Sequence, residues 1–139
     1  MPTIETHSDG GCFPNPGTKY GSFEVLLDGV SVKKVLRQSL GHGTNNEAEW
    51  EIIIEALHWT LNALTEGGFS AIDYNIKMFT DSEIVRNRLM KKNKIFKKYP
   101  ESSKRMFDLA NRVLGLLIKF KSFNVTWESR EFNVARFGH

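Results

Sequence analysis

The 139-residue sequence predicts one α/β domain, with strands first and helices later. Three observations carry this expectation. Asp28-Gly29 joins two β-rich runs, Thr44-Asn45-Asn46-Glu47 opens a long helical pattern, and an alternating run over residues 71–80 is followed by amphipathic helix. No internal repeat or long linker divides the chain. With 40% hydrophobic and 25% charged residues it is long enough to bury a core.

The first extended run, Thr3 to Ser8, is polar for a strand and ends at Asp9. Gly10-Gly11 then offers backbone conformations closed to other residues and close approach to a ligand. Pro14 and Pro16 end regular structure. An Asp before Gly is more often turn chemistry than a site, so Asp9 needs support from elsewhere. Tyr20 to Leu27 and Val30 to Leu40 are β-rich, and the intervening Asp-Gly predicts a tight antiparallel hairpin.

The next helix is predicted from the Thr44 capping box to about Leu64, stopped near Gly67-Gly68. Glu47, Glu51, Glu55, His58 and Asn62 share a polar stripe, whereas Glu49 lies with Ile53, Ala56, Leu57, Thr60 and Leu64 on the stripe expected to face the sheet. A carboxylate heading a buried stripe costs free energy unless it is paired or binds a metal. Glu47 is explained by capping; Glu49 is not.

Ala71 to Thr80 alternates, with Ile72, Tyr74, Ile76 and Met78 on one face, and predicts a strand ending at Asp81-Ser82. Asp81 fits an N-cap of the following helix through Leu89. Ser102 to Phe120 predicts a longer helix with Met106, Leu109, Ala110, Val113, Leu117 and Phe120 inward, and Phe123 to Trp127 a last strand. The final dozen residues are expected to be irregular.

Charge is concentrated. Arg86 to Arg105 holds nine Lys or Arg against Glu101, a net +8 within a chain of +3, leaving −5 for the rest. Such a segment suits a polyanionic partner, although a Lys-rich solvated face is common. Cys12 excludes an internal disulfide and suits a reducing compartment. No apolar run approaches the ~18 residues that span a bilayer, and the N-terminus lacks a signal pattern. A cytoplasmic monomer without a membrane partner is expected.

Asp9, Glu49 and Asp81 each stand at a strand end or helix start. Oxygen ligands without His or Cys favour a hard cation such as Mg²⁺. Two such ions about 4 Å apart activate a water and stabilise the leaving oxygen in phosphodiester cleavage. With the basic segment, this points to a nuclease.

Ser8-Asp9-Gly10-Gly11 with Asn15-Pro16-Gly17, then Thr44-Asn45-Asn46-Glu47-Ala48-Glu49, then Thr80-Asp81-Ser82 resemble, in order and spacing, the three successive motifs of type 1 ribonuclease H. The resemblance covers nearly the whole chain. It implies a ribonuclease H-like α/β fold, a five-stranded mixed sheet of order 3-2-1-4-5 with strand 2 antiparallel, flanked by helices. It implies that Asp9, Glu49 and Asp81, with Gly10 beside them, hold two Mg²⁺ ions, replaceable by Mn²⁺, that hydrolyse the RNA strand of an RNA–DNA hybrid. Asn15 and Asn46, with Asn45 in the same motif, would contact the hybrid, Thr44 a DNA phosphate, and the backbone at Gly11 and Cys12 the RNA strand. Lys91, Lys92, Lys94, Lys97 and Lys98 resemble the basic handle of some members. His42 and His58 match no role.

The end of the chain departs from that pattern, which continues with Asn, a small residue, a fourth Asp and a last helix. Aligning on Asn133 puts Phe137 at the Asp, and aligning on Ala135 puts Arg136 there. The chain therefore reads as a short, truncated or altered form without the C-terminal helix. Arg136 is expected to pair with Asp9 or Asp81, unless Asn133, Glu131 or His139 completes the site. Two functions remain: a hybrid-cleaving endoribonuclease, or a non-catalytic domain of this fold that binds nucleic acid or protein. An integrase-like or exonuclease-like phosphotransferase is a weaker third.

Overall fold

The computed structural model describes residues 2–90 and 104–139, so the lysine-rich segment over 91–98 lies outside the described residues. In chain order the elements are β1 (Thr3–Phe13), β2 (Gly17–Leu27), β3 (Val30–Gly43), α1 (Asn45–Glu66), β4 (Asn75–Thr80), α2 (Glu83–Met90), α3 (Lys104–Leu117), β5 (Ser122–Trp127) and α4 (Arg130–Phe137). The strands form one sheet of order β3-β2-β1-β4-β5. Strand β2 is antiparallel to both neighbours, whereas β1–β4 and β4–β5 are parallel.

The hairpin forms as predicted, with Asp28 and Gly29 both at positive φ (48° and 86°), the backbone that a two-residue turn of matching twist requires. Strand β1 runs further than expected. Gly10 and Gly11 pair with Gly21 and Tyr20 inside the strand, and neither has positive φ. Glycine serves close approach here: a Cβ on Gly10 would lie 2.7 Å from the Glu49 backbone nitrogen and nearer still to the Ala48 carbonyl.

The capping box holds. Thr44 Oγ1 accepts from the Glu47 N–H, and Glu47 Oε1 accepts from the Thr44 N–H, both at 3.2 Å. Helix α1 buries more than one stripe, because Trp50, Ile52 and Ile54 are as enclosed as Ile53 and Leu57. The sheet covers one side of the helix and α3 packs on another through Leu109, Ala110, Val113 and Leu117.

Two expectations need correction. Residues Ala71–Asp73 form a 3₁₀ turn and Ile72 is exposed; β4 begins only at Asn75, opposite Thr3, where β1 first offers a partner. The last residues are not irregular. They form α4, which lies over the sheet face opposite α1 and closes with Gly138 at φ 80°, its N–H donating to the Val134 carbonyl.

The register creates a fork in the sheet. Pairing of β1 with β4 stops at His7–Phe79, while pairing with β2 continues to Phe13–Thr18. Beyond His7, one edge of β1 has no strand beside it. Helix α1 fills in: Gly10 N–H donates to Glu49 Oε1 (3.2 Å), and Cys12 N–H to Asn45 Oδ1 (2.6 Å).

Candidate active site

Three carboxylates meet at this fork. Asp9 comes from β1, Glu49 from the second turn of α1 and Asp81 from the residue after β4, and each offers an oxygen within 4.8 Å of the others. The predicted cap role of Asp81 is taken by its neighbour: Ser82 Oγ accepts from the Val85 N–H at 3.2 Å, which leaves the Asp81 carboxylate to the cluster. Trp127 Nε1 donates to the Asp81 carbonyl at 3.1 Å and anchors that backbone.

The electrostatics are those of unneutralised acids in a confined space. Burial first, and then the Asp81 charge, push Asp9 from its ordinary 3.8 up to about 7. Burial, then Asp81 and Asp9, raise Glu49 well above the usual carboxylate range. Glu49 Oε2 is buried without a hydrogen-bond partner. A hard dication satisfies all three conditions: it supplies the missing partner, permits ionisation, and takes oxygen ligands. The residues present therefore fit Mg²⁺ or a similar ion.

The carboxylates line a cleft of about 530 Å³ together with Gly10, Gly11, Cys12, Asn46, Arg130 and His139. A neighbouring cleft of about 750 Å³ is lined by Asn15, Thr44, Asn45, Asn46, Glu47 and Arg105. Several predicted contact residues are already engaged within the protein. Asn45 Oδ1 holds Cys12, Asn15 Oδ1 accepts from the Asn45 N–H at 3.1 Å, and the Thr44 hydroxyl is shared with Glu47. Cys12 is buried, its thiol donates to the Pro14 carbonyl at 2.9 Å, and its N–H donates to Asn45 Oδ1. His42 and His58 are exposed.

The altered terminus differs from expectation. Arg136 pairs with neither Asp9 nor Asp81: its Nε lies 3.2 Å from Glu24 Oε1 and its Nη1 3.0 Å from Glu128 Oε1. Glu128 Oε1 also faces His7 Nδ1 at 3.2 Å, and the His7 ring stacks on Phe79 at 4.6 Å. Helix α4 thus uses Arg136 to clamp itself to β2 and the end of β5, where Glu24 and Glu128 supply two acids. Asn133 is buried and Glu131 exposed. His139 reaches the cluster, with Nδ1 3.2 Å from Asp9 Oδ2.

Sequence reading missed Arg130, which lines the cleft and whose charge counteracts part of the rise at Asp9. It also missed Arg105, which spans Glu47 and Glu51 at 3.3 and 3.1 Å while Lys19 pairs with Glu51 from below. No spacing rule links these residues; Arg105 reaches Glu47 and Glu51 only once α3 packs on α1.

A mixed sheet in the order 3-2-1-4-5 with three acids at the fork between its central parallel strands defines the ribonuclease H-like class. The RNase H family profile matches residues 2–129, and the chain belongs to that family. No curated protein matches the sequence. Solved structures of similar fold include RNase H1 from the halophilic archaeon Halobacterium salinarum (TM-score 0.73, 24% identity, covering 94% of this chain and 89% of that one). The N-terminal RNase H domain of rv2228c from Mycobacterium tuberculosis gives 0.74 and 20%, covering 97% and 88%. LC11-RNase H1 in complex with an RNA/DNA hybrid gives 0.67 and 22%, covering 97% and 91%.

Proposed function

We propose that the protein hydrolyses the RNA strand of RNA–DNA hybrids, using two divalent cations held at Asp9, Glu49 and Asp81. The observation that carries this reading is the convergence of those carboxylates with an orphaned Glu49 oxygen among them. Family membership and the hybrid complex of LC11-RNase H1 support the substrate. Asp9, Glu49 and Asp81 would hold the ions, which would supply activation of a water and neutralisation of charge on the scissile phosphate.

The chain's own groups do the rest. Glu49 Oε1 is held by the Gly10 N–H, which leaves the buried Oε2 without a hydrogen-bond partner inside the protein. Arg130 places a guanidinium on the same cleft, where it offers donors to a phosphate oxygen. Asn46 lines both clefts and is set to contact the hybrid between them. Basic residues from Arg86 onward add charge for the backbone.

Hybrid binding without cleavage is a second reading, favoured by one observation: among the described residues no fourth carboxylate joins the cluster. Incubation of a labelled hybrid with Mg²⁺ and, separately, with Mn²⁺, beside duplex DNA and duplex RNA, separates the two. RNA-strand products from the hybrid alone are expected; a retarded hybrid with no product supports the binding domain.

A further inference from the structure

His139 is the one nitrogen donor of the imidazole type among the described residues lining the carboxylate cleft. Gly138, in the left-handed conformation, turns the chain out of α4 so that the imidazole drops beside Asp9. The ring is held on several sides. Nε2 lies 2.6 Å from Ser22 Oγ, the Tyr20 ring meets it edge-on at 5.2 Å, and the Phe137 ring lies nearly parallel at 6.1 Å. Its remaining nitrogen, Nδ1, faces Asp9 Oδ2.

We propose that His139 Nδ1 and Asp9 form a second cation position with mixed nitrogen and oxygen ligands, which selects a transition-metal dication such as Mn²⁺ over Mg²⁺. The proposal rests on the reading of Asp9, Glu49 and Asp81 as a metal centre, and adds a ligand and a selectivity to it. Asp9 is the shared residue, touching the three-acid cluster on one side and His139 on the other. Mg²⁺ demands oxygen ligands and octahedral geometry, so an imidazole in place of a carboxylate weakens its hold there. Imidazole nitrogen is an established ligand for first-row transition ions.

Ser22 makes the required tautomer available. Its fully buried hydroxyl accepts the Arg37 N–H at 2.9 Å and retains both a proton and a lone pair for His139. By giving its proton to Nε2 it leaves Nδ1–H to donate to Asp9. By accepting from Nε2–H it frees the Nδ1 lone pair for a metal, the arrangement in which an outer hydrogen bond fixes a ligating histidine.

The test is direct binding of Mn²⁺ and of Mg²⁺ to metal-free protein without nucleic acid, by titration calorimetry, with pulsed EPR of the Mn²⁺ form. Wild type should bind two Mn²⁺ and show imidazole ¹⁴N coupling. His139→Ala should lose the coupling and weaken the second Mn²⁺ event tenfold or more, leaving the first within about twofold and Mg²⁺ binding nearly unchanged. Ser22→Ala should weaken the same event less while keeping the coupling, which guards against a folding defect in the histidine variant. Absence of ¹⁴N coupling in wild type, or an unchanged second event in His139→Ala, overturns the proposal and leaves the nuclease reading standing. Undiminished Mn²⁺ binding in Asp9→Asn overturns both.

Discussion

The Gly10 N–H donates to Glu49 Oε1 at 3.2 Å, and this one bond ties the middle strand to the helix that carries the second acid. It forms only because residue 10 lacks a side chain. Gly10→Ala should drive α1 away from β1, with a loss of roughly 1–3 kcal/mol in stability and a disproportionate loss of cleavage. Chemical denaturation beside hybrid cleavage checks this; a stable variant with full activity would show that the close approach is not required.

Asp9→Asn should abolish cleavage and change the pH dependence of stability in the absence of metal. The folded pKa of Asp9 is raised, from 3.8 to about 7. Below the lower value both folded and unfolded states carry the proton and nothing is lost. Between the two the unfolded chain ionises first, so wild-type stability falls as pH rises from about 4 to 7, and the penalty then stays constant. The Asn variant lacks that slope. In EDTA it should be more stable than wild type at pH 8 by on the order of 1–3 kcal/mol, as read by chemical denaturation, the two converging near pH 3. Parallel curves across the range contradict the assignment, and added Mg²⁺ should stabilise wild type alone.

Arg136→Asp should not raise the cleavage rate, because Arg136 clamps Glu24 and Glu128 rather than standing in the cluster. Removing it strands two acids beside a new third, at a cost of roughly 1–3 kcal/mol given the partial exposure of the pair. A large gain in rate or in metal affinity would show that the guanidinium reaches the acids in solution.

Neutralising Lys91, Lys92, Lys94, Lys97 and Lys98 should weaken hybrid binding and flatten its salt dependence, by about 0.9 in the log–log slope for each phosphate no longer neutralised. Fluorescence anisotropy across a salt series measures both. A drop in affinity with an unchanged slope assigns the lysines to some role other than binding phosphate.

How much is legible in the sequence depends on whether the cause is local. The Asp28-Gly29 hairpin and the Thr44 cap are properties of adjacent residues, and the fold contains both. Glu49 stands out because an acid heads an apolar stripe. Its partners lie 40 and 32 positions away, and the motif order alone connects them. Asp81 reads as a cap because Asp and Ser are equally good caps, and only geometry chooses Ser82. The end of β4 nearest Ile72 fails for another reason: alternation there matches a strand, but no strand lies beside it. Arg136 belongs to the same class, since Glu24 and Glu128 become neighbours only across the folded sheet.

Where β1 and β4 part, the amides of Gly10 and Cys12 are claimed by side chains of α1 rather than by a strand. Their exchange with solvent deuterium therefore reports on a different event from that of residues a few positions earlier. Protection at Thr6 follows the sheet, whereas protection at 10 and 12 appears only when the first turns of the helix are seated. The two amides are clocks for the moment at which the carboxylates acquire their spacing. Because that spacing and the helix docking are the same event, a folding intermediate with a formed sheet and an undocked α1 would hold strands but no carboxylate cluster.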